Sequence, residues 1–139
     1  MGLISPSIPA RLLPTQQTHY LRKSVAFNTP GVGASDTVKI GRLPAGAFIS
    51  GVWARIETPF NAGTTNVLTV GTSAGGDADI INGAADLNAG SAGTTSVTRG
   101  LGLPIANDTD IFVKFTQTGT PATAGAATIV ISYAANNDG

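Results

Sequence analysis

Apolar residues in this chain come in short β-branched and aromatic runs, cut at roughly regular spacing by Gly, Pro, Asn and Thr. Nowhere do they recur at a helical period over the length of an ordinary helix. That pattern excludes a helical bundle and leaves an all-β domain as the economical solution. The stretch Val38–Gly71 shows it most fully, with strand-like runs at Val38–Ile40, Phe48–Glu57 and Val67–Val70. Leu43-Pro44-Ala45-Gly46 makes the first break, since Pro44 restricts φ and Gly46 accepts conformations closed to other residues. Pro59–Asn66 makes the second. Strict alternation along the long middle run places Phe48, Ser50, Val52, Ala54 and Ile56 on one face, which suits a core. Ile49, Trp53, Arg55 and Glu57 take the other face, apolar at one end and charged at the other. A mixed face bearing a tryptophan reads as a surface that something covers.

The same rules extend to the rest of the chain. His19–Asn28 is a first strand, with Leu21, Lys23, Val25 and Phe27 inward, and Thr29–Ser35 is a loop. Thr72–Asp79 is a Gly-rich loop, and Asn82-Gly83 after Ile80-Ile81 predicts a tight hairpin, because both residues tolerate positive φ. Ala84–Asn88 has the one helical option, a single turn; Ala89–Ser96 reads as a flexible loop and Val97–Leu103 as a short strand. Asp110–Thr118 turns Ile111, Val113 and Phe115 one way, and Thr128–Tyr133 turns Ile129, Ile131 and Tyr133 one way. The expectation is a single jelly-roll-like β-sandwich of about seven or eight antiparallel strands. An immunoglobulin-like sandwich is the alternative. The domain spans residues 19–135, between an extended N-terminal arm, residues 1–18, and a polar tail, residues 136–139.

Composition narrows the function classes. Charged residues are 12% of the chain and cancel, eight basic against eight acidic, so the concentrated basic excess of a nucleic-acid-binding domain is missing. With no cysteine there is no disulfide framework or thiolate metal site. No apolar run reaches a membrane-spanning length, and Pro6, Pro9 and Pro14 interrupt any signal-like segment, so a chain made and used in a cytoplasm is expected. A near-neutral surface favours association.

Those three prolines also forbid a regular element over residues 1–18, yet Leu3, Ile4, Ile8, Leu12 and Leu13 are too apolar for a solvated tail. An extended arm of this length reaches about 60 Å at ~3.3–3.6 Å per residue. Its charge is all positive: Arg11, then Arg22 and Lys23 at the start of the domain. A frayed terminus is one reading; an arm that orders on a neighbouring subunit is the one the apolar residues favour. Trp53 has two readings as well, core residue or interface anchor, and Arg55 two positions on keeps the second open. Ile8, Arg11, Leu12, Leu13, Arg22, Lys23, Trp53 and Arg55 are therefore the candidate partner-binding residues.

Catalytic signatures are weak. Gly71-Thr72-Ser73-Ala74-Gly75 matches G-x-S-x-G, but no helical run follows and the single histidine, His19, lies on a distant strand. Asp77, Asp79, Asp108 and Asp110 lack the spacing of known calcium loops and read as turn residues. No enzyme activity, metal or other cofactor is expected.

The wording K-I-G-x-L-P-A-G at Lys39–Gly46, F-N-A-G-T-T-N at Phe60–Asn66 and L-T-V-G-T at Leu68–Thr72 resembles small structural proteins from the virion modules of tailed bacteriophages. The similarity continues through Gly75–Asp86 and Ala127–Tyr133, covering roughly residues 36–134. The resemblance implies a β-sandwich building block, above all a capsid decoration (cement) protein. Such a protein binds the lattice of the major capsid protein at the virion surface as a homo-oligomer, with a trimer favoured, and involves neither nucleic acid nor membrane. A tail, neck or fibre component is the alternative, and a receptor- or carbohydrate-binding module the third.

Overall fold

The computed structural model describes residues 18–29, 37–75 and 77–136. Among these residues seven strands account for the regular structure: β1 (Thr18–Ala26), β2 (Thr37–Leu43), β3 (Phe48–Thr58), β4 (Thr65–Gly71), β5 (Gly93–Ser96), β6 (Thr109–Thr118) and β7 (Ala126–Ala134). They form two antiparallel sheets, one in the order β1-β7-β3-β5 and one in the order β2-β6-β4. Odd strands build the first sheet and even strands the second, so every connection crosses from one sheet to the other. An immunoglobulin-like sandwich keeps some consecutive strands in one sheet; here none are.

The pairings are nested. β1 pairs with β7, β2 with β6 and β3 with β5, and an isolated antiparallel bridge joins Val70 at the end of β4 to Ile81. The chain is thus one long antiparallel ribbon folded at 72–80 and rolled up, with β3·β7 and β4·β6 as the pairings that close the roll. This is a jelly roll whose eighth strand is reduced to one bridge.

Alternation fills the space between the sheets. Val52, Ala54, Ile56, Ala127, Ile129 and Ile131 point inward from one sheet, and Leu68, Val70, Ile111, Val113 and Phe115 from the other; all are buried. Each large aliphatic side chain buried in this way contributes about 1.5–3 kcal/mol. Loop residues seal the ends: Phe60 packs on Phe115 with ring centroids 4.5 Å apart, and Ile80 and Ile81 are fully buried. Leu21 closes the β1–β2 margin by lying over Gly41, where a Cβ would come within 2.0 Å of its Cδ1.

Several expectations are corrected. The register of β3 against β7 shifts between Ile49 and Gly51, leaving Ser50 as an extra residue. Such a bulge inverts the alternation, so Ile49 is buried and Phe48 is 60% exposed, the reverse of the strict-alternation reading. β5 lies within the segment expected to be a flexible loop, and 97–103 is turn and irregular structure rather than a strand. Thr94, Thr95 and Ser96 carry no apolar pattern because they form an edge that the core does not need. Asn82-Gly83 makes no hairpin. Asn82 instead caps one helical turn, its carbonyl accepting the N–H groups of Ala85 and Asp86 while its own N–H donates to Asp86 Oδ2. Gly83 is pressed against β4, where a Cβ would meet Leu68 O at 2.2 Å. Lys23 sits in the inward phase of β1 but is exposed at the sheet margin. Thr18, expected in the arm, is the first residue of β1. The rest of the arm, and Gln-free polar tail residues 137–139, lie outside the described residues.

Two surface ion-pair clusters pin the connections. Asp86 receives Arg99 Nε at 2.5 Å, and Asp110 receives Arg42 Nε at 2.6 Å and Lys39 Nζ at 3.0 Å. Hydrogen bonding from Arg99 holds Asp86 below the ordinary carboxylate value of 3.8, and hydrogen bonding from Arg42 and then Lys39 does the same for Asp110. Both carboxyls are harder to protonate when folded. Their stabilisation is therefore complete above pH 3.8 and is lost as pH falls below it through the depressed folded values. The melting temperature should fall across that acidic range, with a shallower slope in Asp110→Asn; an unchanged slope would remove Asp110 from the account. Gly83→Ala should lower the urea midpoint, an overpacking cost of ~1–3 kcal/mol. Gly75→Ala, where the nearest atom to a new Cβ is Ser73 Oγ at 3.6 Å, should change stability by less than about 0.5 kcal/mol.

Candidate partner-binding face

The outer face of the four-stranded sheet carries side chains that none of the described residues covers. Registers across β1, β7, β3 and β5 set its rows. Arg22, Val130, Trp53 and Ser96 lie side by side, and the next row is Ser24, Thr128, Arg55 and Thr94. On the other side of Trp53 come Tyr20, Ser132 and Gly51, then Thr18, Ala134 and Phe48. Tyr20 is 65% exposed, Phe48 60% and Trp53 38%, so three aromatic side chains of this one face are presented to solvent.

Trp53 is laid down on the sheet. A Cβ on Gly51 would come within 2.3 Å of Trp53 Cη2 and 2.7 Å of Ser132 Oγ, so the six-membered ring rests where only a glycine leaves room. Beside it is a concavity of about 310 Å³, formed by Arg22 of β1, Thr128 and Val130 of β7, Trp53, Arg55 and Glu57 of β3, and Thr94 of β5. Hydroxyls organise its floor. Ser24 Oγ and Thr128 Oγ1 are 2.9 Å apart, and Thr128 Oγ1 donates to Glu57 Oε1 at 2.8 Å. Ser50 Oγ and Ser132 Oγ, 3.0 Å apart, repeat the arrangement two rows away.

Of the partner-binding residues expected from sequence, Arg22, Trp53 and Arg55 meet at this concavity. Trp53 is an outer-face residue and not a core one. Lys23 does not join them, because its neighbour across the β1–β7 pairing is the core residue Ile129 and its side chain leaves by the other face. Ile8, Arg11, Leu12 and Leu13 lie outside the described residues. Glu57 joins Arg22, Trp53 and Arg55 from the mixed face that alternation assigns to it, whereas Tyr20, Phe48, Thr94, Thr128 and Val130 are not among the residues expected there. A Gly inside a strand pattern is a signal of a bulge, and Gly51 was the available clue to Phe48.

The remaining candidates take structural places. Ser73 follows β4 in a turn with no helix behind it, and Asp79 binds that loop by accepting Thr72 N–H at 3.0 Å and Thr72 Oγ1 at 2.6 Å. His19 stacks on Tyr133 with centroids 5.6 Å apart, and its Nε2 is buried without a hydrogen-bond partner among the described residues. Asp108 accepts Ala45 N–H at 2.9 Å. No cluster of three or more potential metal ligands occurs among the described residues. Ser73→Ala should leave stability unchanged, and a serine-directed phosphonate should not label Ser73; labelling would give that residue a chemical role.

No protein family's sequence profile matches the chain, and no curated protein matches it either. Among solved structures, the fold is similar to a chain of the cyanophage Pam1 capsid asymmetric unit, with a TM-score of 0.66 and 23% identity over 86% of this chain and 85% of that one. It is also similar to a chain of the capsid of Ralstonia phage GP4, with a TM-score of 0.61 and 13% identity over 99% of this chain and 92% of that one.

Proposed function

We propose that this protein is a non-enzymatic structural component of a tailed-phage virion, and within the virion a decoration protein that binds the capsid lattice. The observation that carries this reading is a jelly roll shared with chains of two phage capsid structures along nearly its full length. The aromatic face of the four-stranded sheet, which no described residue covers, supports it, because three exposed aromatics on one face mark a contact surface. Such a role needs no chemistry. Burying surface across junctions between lattice units stabilises the bound state by mass action, and repeated sites let modest contacts act together as avidity. A trimer at a three-fold position is the oligomer that the reading favours.

Copy number tests the role directly. Quantitative mass spectrometry of purified virions should find the protein in numbers comparable to the shell subunit; a few copies per particle would place it in a tail or neck instead.

The same reading gives residues 1–17 the task of reaching a neighbour. Fixing an extended segment costs ~1–2 kcal/mol per residue, and the prolines reduce that cost by restricting the unbound chain. Ile8, Leu12 and Leu13 would each return on the order of 2 kcal/mol when buried at an interface, with Arg11 adding on-rate. Deleting residues 1–17 should leave the melting temperature of the isolated domain nearly unchanged while abolishing attachment to particles. Normal attachment of the truncated chain would move the whole of binding to the face around Trp53.

A further inference from the structure

Seven basic side chains fall among the described residues: three are ion-paired, and of the four that are not, Lys23, Lys114, Arg22 and Arg55, the two arginines share one concavity. Lys39, Arg42 and Arg99 are each held by an aspartate. Arg22 and Arg55, the two that line the concavity beside Trp53, have no ion pair and no side-chain hydrogen bond among the described residues. The acid there, Glu57, already accepts a hydrogen bond from Thr128 Oγ1 at 2.8 Å. The concavity therefore presents two unpaired guanidinium groups against one engaged carboxylate, with a partly open indole as its wall. Guanidinium forks match carboxylates bidentately and are less costly to desolvate than ammonium groups. An indole beside them suits an apolar neighbour of that carboxylate.

We infer that this concavity is the anchoring site for an acidic segment of a neighbouring polypeptide in the shell. A carboxylate side chain is held between Arg22 and Arg55, and the side chain next to it lies on Trp53. Charge complementarity selects this occupant over the chain's own N-terminal arm, whose one charged side chain is Arg11. The volume, about 310 Å³, suits a side-chain anchor rather than a large ligand. The inference rests on the structural role proposed above, and it names the chemistry of the partner.

Trp53 is the one tryptophan of the chain, so indole emission, excited at wavelengths that tyrosine does not absorb, reports on this site alone. The intact protein is titrated with an end-blocked octapeptide alternating glutamate and valine, with its lysine-and-valine counterpart, and with a neutral glucose oligosaccharide. The glutamate peptide should give a saturable emission change that weakens when NaCl is raised from about 0.05 to about 0.5 M. Arg22→Glu or Arg55→Glu should each weaken it about tenfold, and the double reversal should abolish it, while Lys23→Glu on the same strand leaves it intact. A response to the lysine peptide or the oligosaccharide in place of the glutamate peptide overturns the inference, as does a glutamate response that survives the double reversal. Co-sedimentation with purified shells separates this from the broader reading. Shell binding that persists unchanged in the double-reversal variant refutes the acidic anchor and leaves the decoration role standing. A peptide response in a protein that never binds shells refutes the decoration role and leaves the anchor standing.

Discussion

The insertion of β7 between β1 and β3 is the interaction on which the rest of the structure depends. It is one of the two inner strands of the larger sheet, hydrogen-bonded on both sides, and Ala127, Ile129 and Ile131 on its inner face are fully buried. Its outer face has an equal consequence. Val130 is the common partner of Arg22 and Trp53, and Thr128 is the common partner of Ser24 and Arg55. Without β7 these side chains belong to strands that never pair with each other. One pairing therefore supplies the centre of the core and assembles the candidate site. It joins the two ends of the described chain, so a large loop-closure entropy precedes its reward, and slow folding is the expected accompaniment.

The second constraint is the bulge at Ser50. By adding one residue to β3 it turns Phe48 outward and Ile49 inward, while Gly51, in the same phase as Trp53, stays on the outer face where the indole lies. A regular strand would bury Phe48 and leave Ile49 on the outer face. The bulge costs a ladder hydrogen bond locally and yields a face with three exposed aromatics spread over β1 and β3. Such a face, with hydroxyls and the charged Arg22, Arg55 and Glu57 around the aromatics, suits an interface better than free solvent.

The fold class was legible because alternation in β6 and β7 is unbroken: Ile111, Val113 and Phe115, then Ile129 and Ile131, are inward as their spacing requires. The strand pairings were beyond its reach, since nested ribbon order is a property of long-range contacts and not of local pattern. β5 was hidden for a different reason. Thr94, Thr95 and Ser96 are held at a sheet edge by backbone hydrogen bonds to β3, and an edge with exposed side chains leaves no hydrophobic trace. The site was legible in part. Arg55 and Trp53 share a strand and a phase, so their proximity follows from the sequence, whereas Arg22 reaches them only through Val130. Phe48 was placed on the wrong face because alternation was carried through a glycine that marks a bulge.

The central claim is that the outer face of the β1-β7-β3-β5 sheet is covered in the assembled particle. Hydroxyl-radical footprinting of the free protein and of intact virions, read by mass spectrometry, tests it at the side chains concerned. Phe112, on the outer face of the opposite sheet, serves as the internal reference. The account predicts that oxidation of Tyr20, Phe48 and Trp53 drops severalfold in the particle relative to Phe112. Equal oxidation of the three in both states, or protection of Phe112 in their place, would contradict it.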